Sequence, residues 1–434
     1  MSRKVFISFL GTTNYGACNY EHNGISYGTS RFAQEVTLNY LMQKETWSNT
    51  DIAYILMTEE SERKNWKDFF YNDRETQTPL TGLETCLKQM NLPFPIHAVR
   101  NLPIGNNEEE IWQIFQRVFN ECMQEGDELY FDITHGFRYL PMLTIVLGNY
   151  AKFLRNITVK SITYGNYEIS NYGKDPGLIV DLISLSNLQD WTYASGHFIQ
   201  SGDATRLTKL AKDELTPLMK KHAGSDSNTN NLYIFITRLN NFTKELRTCR
   251  GTEIIEAKNI SQLSSACANI NASIIPQLEP LISKIQTSLQ PFNTDPDTMN
   301  GIAAAQWCLS HGLYQQTATL LQETIITHLC HLINIDWKNL SEREIVSAAF
   351  YNKIHPDDPL SEKVRDHEQI ILKLQTIPQF INLITVYLPL SELRNDFNHA
   401  GMRISHSKPD DIINKLDSLI SLTQVALNPL PHAD

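Results

Sequence analysis

No apolar run in these 434 residues approaches the ~20 positions that a membrane-spanning helix needs, so no membrane partner is expected. The opening stretch "MSRKVFISFLGTTNYG" carries two basic residues and a short apolar run. It reaches Gly11 without a small-residue cleavage site, so it reads as a buried first strand and not as a signal peptide. Cysteine is sparse. The seven residues Cys18, Cys86, Cys122, Cys249, Cys267, Cys308 and Cys330 are scattered, odd in number and never spaced C-x-x-C. That excludes a disulfide framework or a zinc-ribbon site and points to reduced thiols in a cytoplasm.

Net positive charge is also missing. The chain carries -11 at pH 7, which counts against an extended nucleic-acid surface but not against a small local site. Nucleotide fingerprints are absent as well. No G-x-G-x-x-G follows the first strand. Gly11 and Gly16 stand at P-loop spacing, but Ala17-Cys18 replace the Lys-Ser/Thr that would hold phosphate and magnesium. A dinucleotide cofactor and nucleoside triphosphate hydrolysis are both disfavoured. "THLCH" puts His328 and His331 beside Cys330 on an apolar helix without further ligands, so packing is the reading and no metal is expected.

What is present is ordinary globular sequence, 41% hydrophobic and 20% charged, long enough for two or three domains at roughly 100–200 residues each. Residues 4–11, 52–58, 94–100, 127–134, 159–165 and 177–185 read as strands. Residues 29–42, 108–123 and 138–154 read as helices between them. This alternation predicts a mostly parallel, doubly wound sheet. From residue 188 to about 290 the pattern is helical, interrupted by a polar loop at 223–231. The stretch "QPFNTDPDTMN" (290–300) is a second break. Helical patterns then fill 303–333, 369–388 and 409–427.

In open α/β sheets ligands bind beyond the carboxyl ends of the strands. Those positions are Gly11, Thr12, Thr13 and Asn14 after the first strand, and Thr58 after the second. "DITHGFR" follows a later strand with Thr134, His135, Gly136, Phe137 and Arg138. Hydroxyls, an arginine and a helix start gather there, and the amides of a helix N-terminus hold anions. The same residues also read as a plain turn with a helix cap.

Near the other end, "LPLSELRNDFNHAG" is punctuated by Pro389, by Ser391 as an N-cap and by Gly401 as the C′ residue. It predicts a short helix carrying Arg394, Asn395, Asn398 and His399. Arg394 and His399 lie about 140° apart on an ideal helix, so two copies in a dimer would meet more easily than one pair within a chain. Guanidinium grips phosphate and imidazole moves protons near neutrality. The set suits RNA cleavage by its own 2′-hydroxyl, and equally a solvated helix surface.

With those motifs in hand, the chain resembles the CRISPR-associated ribonucleases that carry an N-terminal CARF domain (CRISPR-associated Rossmann fold) and a C-terminal HEPN domain. "KVFISFLGTTNY" is similar to their first strand and ligand loop, "YFDITHGFRYLPM" to their strand–turn–helix, "DWTYASGHFIQSGDATRL" to their connector and "LRNDFNHAG" to the HEPN pattern of Arg, a polar residue, three more and His. The resemblance implies an α/β Rossmann-like CARF domain at 1–187, an all-α connector at 188–300 and an all-α HEPN ribonuclease domain at 301–434. It implies a homodimer, or a higher assembly, acting in type III CRISPR antiviral defence. A cyclic tetra- or hexa-adenylate activator would bind at the strand-end residues, and single-stranded RNA would be cut without metal or cofactor. Arg394 and His399 fall on the catalytic pair and Asn395 on the polar position. A non-catalytic cyclic-oligoadenylate sensor, and a ring nuclease that degrades its own activator, remain open beside this reading.

Overall fold

The computed structural model describes residues 2–73, 76–136, 139–171, 173–221, 227–270, 276–402, 404 and 406–427. These divide into two compact units, Met1–Gln189 and Asp190–Asp434.

The first unit is built on an eight-stranded sheet in the order β3-β2-β10-β9-β8-β1-β4-β7. Its centre is β1 (Lys4–Leu10), flanked by β4 (Ile52–Met57) and β8 (Glu128–Asp132), both parallel to it. The near-continuous apolar runs of these strands follow from burial on both faces, as parallel sheets require. Beyond β4 lies β7 (Ile96–Val99), and beyond β8 lies β9 (Thr158–Asn166), both parallel to their neighbours. β10 (Gly177–Asp181) pairs antiparallel with β9.

The far edge is a hairpin that the strand–helix alternation did not announce. β2 (Cys18–His22) and β3 (Ile25–Ser30) join through Asn23 and Gly24, both at positive φ. A second hairpin, β5 (Phe69–Asp73) with β6 (Thr76–Leu80), forms a separate two-stranded sheet. Three helices connect the sheet strands: α1 (Ala33–Lys44), α4 (Glu108–Cys122) and α5 (Leu140–Arg155). Smaller helices are α2 (Glu59–Ser61), which runs into a π-helical turn at Glu62–Trp66, and α3 (Leu83–Gln89). One hydrophobic cluster, with Ile7, Leu56, Val118 and Leu147, packs on one face of the sheet. Another, with Phe6, Ile55, Val36 and Leu83, packs on the other. The strand expected at 177–185 stops at Asp181, because α6 (Ile183–Ser201) starts there. The Asp181 carboxylate accepts the Ile183 N–H at 3.1 Å and so caps the new helix.

The second unit is helical throughout its described residues. It comprises α7 (Thr205–Lys221), α8 (Ser227–Arg247), α9 (Gly251–Ile255), α10 (Lys258–Ala268) and α11 (Glu279–Leu289). Then come α12 (Met299–Ser310), α13 (Tyr314–Leu332), α14 (Leu340–Ile354), α15 (Glu368–Leu374), α16 (Pro378–Asn398) and α17 (Pro409–Leu427). α8 and α9 pack on α12, so the connector segment 188–300 and the segment from 301 onward share one compact body from residue 190. α12 and α13 approach closely at Gly301, where a Cβ would come within 2.0 Å of the Thr324 hydroxyl. Phe350 stacks between Phe380 and Tyr387, at 4.4 and 3.9 Å between ring centres, fixing α16 on α14.

Each of the seven cysteines is a free thiol. Among the described residues no single helix is long and apolar enough to cross a membrane.

Candidate functional site

The carboxyl edge of the sheet is organised by one buried carboxylate. Asp132, at the end of β8, is 1% exposed. It accepts hydrogen bonds from the Ser8 hydroxyl at 2.7 Å, the Thr134 N–H at 3.1 Å and the Thr134 hydroxyl at 2.5 Å. Burial pushes its pKa up, and these three donors act against that shift. Thr134 in turn accepts the Gly165 N–H at 2.7 Å, joining the ends of β8 and β9.

His135 stacks on Tyr15 with ring centres 4.0 Å apart, and its Nε2 accepts the Ala33 N–H at the start of α1 at 3.3 Å. Burial pushes the His135 pKa down to about 3, so the ring is neutral with its proton on Nδ1, as acceptance at Nε2 requires. The Tyr15 hydroxyl lies against Gly11, where a Cβ would come within 2.4 Å, and makes no well-formed hydrogen bond among the described residues. Burial raises its pKa.

These residues line a cavity of about 220 Å³. Gly11, Thr12, Thr13, Thr58, Thr134, His135 and Gly136 are in its wall, together with Tyr15, Tyr139 and apolar side chains such as Phe9, Leu56 and Ile114. Thr58 is also a helix cap: its hydroxyl accepts the Ser61 N–H at 3.2 Å. Asn14 is outside the wall and exposed, with its Oδ1 3.5 Å from Arg31 Nη2. Phe137 and Arg138 lie outside the described residues.

Three residues that hold this edge had no sequence signal. Asn65, on the π-helical turn, donates to the carbonyls of Gly11 and Thr13, each at 2.9 Å. Arg31 donates to the Tyr15 carbonyl at 3.1 Å and the Thr81 carbonyl at 3.3 Å. The Tyr139 hydroxyl donates to the Ile104 carbonyl at 2.8 Å, directly over Gly105.

The second set of candidates sits on α16. The helix expected to begin after Pro389 is instead the last third of one continuous helix from Pro378, with Pro389 and Ser391 inside it. An interior proline costs about 3 kcal/mol. α16 packs on α13 and α17 and buries Leu383, Leu390 and Leu393, which offsets that cost. Ala400, and not Gly401, takes the C′ position at φ 53. Its N–H bonds to the Phe397 carbonyl at 3.1 Å, and the Gly401 N–H reaches the Asp396 carbonyl at 2.9 Å. His399 caps the helix with its side chain exposed; Asn395, one turn back, is exposed too.

Arg394 turns to α13 instead. Its Nη1 donates to Gln322 Oε1 at 3.3 Å and pairs with Glu323 Oε1 at 3.0 Å. Within one chain, then, Arg394 and His399 share a helix end, but their side chains make no hydrogen bond to each other among the described residues. His331 Nδ1 lies 3.0 Å from the Thr298 hydroxyl, and no group of metal-ligating side chains is found among the described residues.

Sequence comparison matches residues 5–176 to the family described as "CRISPR system endoribonuclease Csx1, CARF domain". A CRISPR-associated protein of Methanocaldococcus jannaschii is 27% identical over 254 residues, covering 57% of this chain and 36% of the relative, so the chain spans about a third of that protein's length. Among solved structures, Enterococcus italicus Csm6 bound to cyclic hexa-2′-fluoro-hexa-dAMP aligns over 100% of this chain and 96% of its own, with 11% identity and a TM-score of 0.42. The matched residues take in most of the mixed, largely parallel sheet that carries the cavity, so this sheet is a CARF domain similar to that of the Csx1 family.

Proposed function

We propose that this chain is a cyclic-oligoadenylate-activated, metal-independent endoribonuclease that cuts single-stranded RNA in type III CRISPR defence in the cytoplasm. The observation that carries the reading is the pairing of a Csx1-type CARF sheet, with a hydroxyl-bearing cavity at its carboxyl edge, with an Arg394–His399 helix end in the helical unit.

The cavity supports a ring ligand held two-fold. At about 220 Å³ it is smaller than the ~300–1,000 Å³ of ordinary ligand pockets. It takes one base of a ring while the rest lies on open surface, and a second copy of the chain supplies the matching pocket. α5 offers an apolar surface suited to such a homodimer: Met142, Val146 and Phe153 are exposed, the last at 77%. Hydroxyls of Thr12, Thr13 and Thr134 meet base edges, and neutral His135 with Tyr15 forms an aromatic wall.

In the helical unit, Arg394 grips the scissile phosphate and His399 moves the proton. The 2′-oxygen bonds to phosphorus while the P–O5′ bond breaks, leaving a 2′,3′-cyclic phosphate and a 5′-hydroxyl. Asn395 hydrogen-bonds to the phosphate or ribose. The nucleophile belongs to the substrate, so the step needs no metal-activated water. Dimerisation would bring two Arg394–His399 ends together, giving one imidazole as base and one as acid.

The test uses purified full-length protein, labelled single-stranded RNA and EDTA, with no activator, cyclic tetra-adenylate or cyclic hexa-adenylate. Cleavage is expected with one ring only. His399→Ala is expected to lose about 10²–10⁴-fold in rate, the scale of a general acid–base group. Wild-type rates in that variant overturn the assignment. Tight ring binding without cleavage leaves a non-catalytic sensor.

A further inference from the structure

α13 presents Glu323 between two arginines. Glu323 Oε1 lies 3.0 Å from Arg394 Nη1, and Oε2 lies 2.6 Å from Arg343 Nη2. Arg343 is a fixed point. Its Nη1 donates to the Thr327 hydroxyl and the Trp337 carbonyl, each at 2.8 Å, and its Nη2 also reaches the Glu323 carbonyl at 3.0 Å. It is 15% exposed, against 36% for Glu323 and 32% for Arg394. A carboxylate clamped on one side by so anchored a guanidinium cannot swing freely. Whatever its other oxygen holds is held in place.

What it holds is one end of a fork. Guanidinium carries five N–H donors in fixed planar geometry. In Arg394 the pair with Glu323 and the bond to Gln322 both use Nη1. Nε and Nη2 make no hydrogen bond among the described residues. That Nε–Nη2 edge can take a phosphate in a bidentate way. We propose that Glu323, backed by Arg343, is a positioning residue that holds Arg394 by Nη1 so that its free edge receives the scissile phosphate of RNA. The inference rests on the nuclease reading above and adds to it a residue that touches neither substrate nor reacting atoms.

The opposite role, a carboxylate that occupies Arg394 and keeps it from RNA, predicts the opposite sign. The two separate in a kinetic comparison of full-length wild type, Glu323→Ala, Glu323→Gln, Arg343→Ala and Arg394→Ala. RNA is the substrate, EDTA is present, and cyclic tetra- and hexa-adenylate are each tried. Positioning predicts that Glu323→Ala lowers kcat by about 10–100-fold with KM within about twofold, the scale of a misplaced group. Glu323→Gln, which keeps an acceptor for Nη1, restores most of the rate, and Arg343→Ala shifts kcat in the same direction. Thermal unfolding checks that each variant is folded; if Glu323→Ala is not, Glu323→Gln against Arg343→Ala carries the comparison. An unchanged or raised kcat in folded Glu323→Ala, with Arg394→Ala inactive, overturns the proposal and leaves the nuclease reading standing. If Arg394→Ala cleaves like wild type, the nuclease reading fails instead. A crystal structure of Glu323→Ala then decides the hold by itself: an Arg394 side chain found in its original place shows that Glu323 does not position it.

Discussion

Ser8 and Asp132 meet across the central pair of strands, with the Ser8 hydroxyl donating to Asp132 Oδ2 at 2.7 Å where both residues are buried. The contact lies between β1 and β8, at their last paired residues. It fixes the carboxylate from below, so that its other oxygen is free to collect the Thr134 N–H and hydroxyl. Thr134 passes the constraint to Gly165 on β9. The rim of the cavity is thus tied to the sheet by a chain of four residues from three strand ends.

Thr134→Val tests that chain. Valine keeps the branched shape but removes the hydroxyl, leaving the Gly165 N–H and one Asp132 lone pair without their partner. A buried group stripped of its hydrogen-bond partner costs about 1–3 kcal/mol. Urea denaturation is expected to show that loss for Thr134→Val and less than half of it for Thr134→Ser. A Thr134→Val protein as stable as wild type would mean that water replaces the hydroxyl.

His135 makes a prediction about pH. Its ordinary pKa of 6.5 is depressed to about 3 in the fold by burial. The folded state therefore binds fewer protons than the unfolded chain between these values. The neutral ring's contribution is fully present above about 6.5 and is lost as pH falls toward 3. His135→Phe keeps an aromatic ring against Tyr15 but cannot titrate and leaves the Ala33 N–H without its acceptor. Wild type is expected to be the more stable of the two at pH 7.5, by about 1 kcal/mol. Its advantage should shrink steadily at pH 6 and pH 5. A difference in unfolding free energy that stays constant over that range would show that His135 is not held neutral.

Much of this architecture is legible in the sequence, for reasons that differ by element. β1, β4 and β8 announce themselves because central parallel strands are apolar on both faces. α4 does so through its acidic first turn and the Asn107 cap, whose side chain accepts the Glu110 N–H at 2.9 Å. The β2–β3 hairpin is an exception: Asn23-Gly24 suits the positive φ of a tight turn, but neither flanking strand is read from the sequence. Its strands are polar at the sheet edge and so escape a search for apolar runs. Pro389 misleads in the other direction. Local chemistry says the helix ends there, and packing of α16 against α13 and α17 overrides it. Arg31, Asn65 and Glu323 give no local sign. Asn65 meets the Gly11 loop from more than fifty residues away, and Glu323 meets Arg394 from about seventy. Such pairs depend on how the layers stack, which a single sequence does not spell out.

Asn65 offers the sharpest check on the cavity as a ligand site. Its amide nitrogen donates to two carbonyls of the loop after β1, those of Gly11 and Thr13. That bond pair holds the loop with Thr12 and Thr13 in the cavity wall. Asn65 itself is buried and lies outside the wall. Replacing it with alanine leaves the wall's composition intact and loosens only its geometry. Asn65→Ala is therefore expected to weaken binding of the proposed activating ring by about tenfold, or ~1.4 kcal/mol, through the cost of re-ordering the loop. Calorimetric titration with cyclic tetra- and hexa-adenylate measures it. RNA cleavage at saturating ring should recover to near the wild-type rate, because the helical unit is unchanged. Wild-type ring affinity in a folded Asn65→Ala protein would mean that the loop after β1 takes no part in holding the ligand, and the binding residues would then have to be sought elsewhere on the sheet edge.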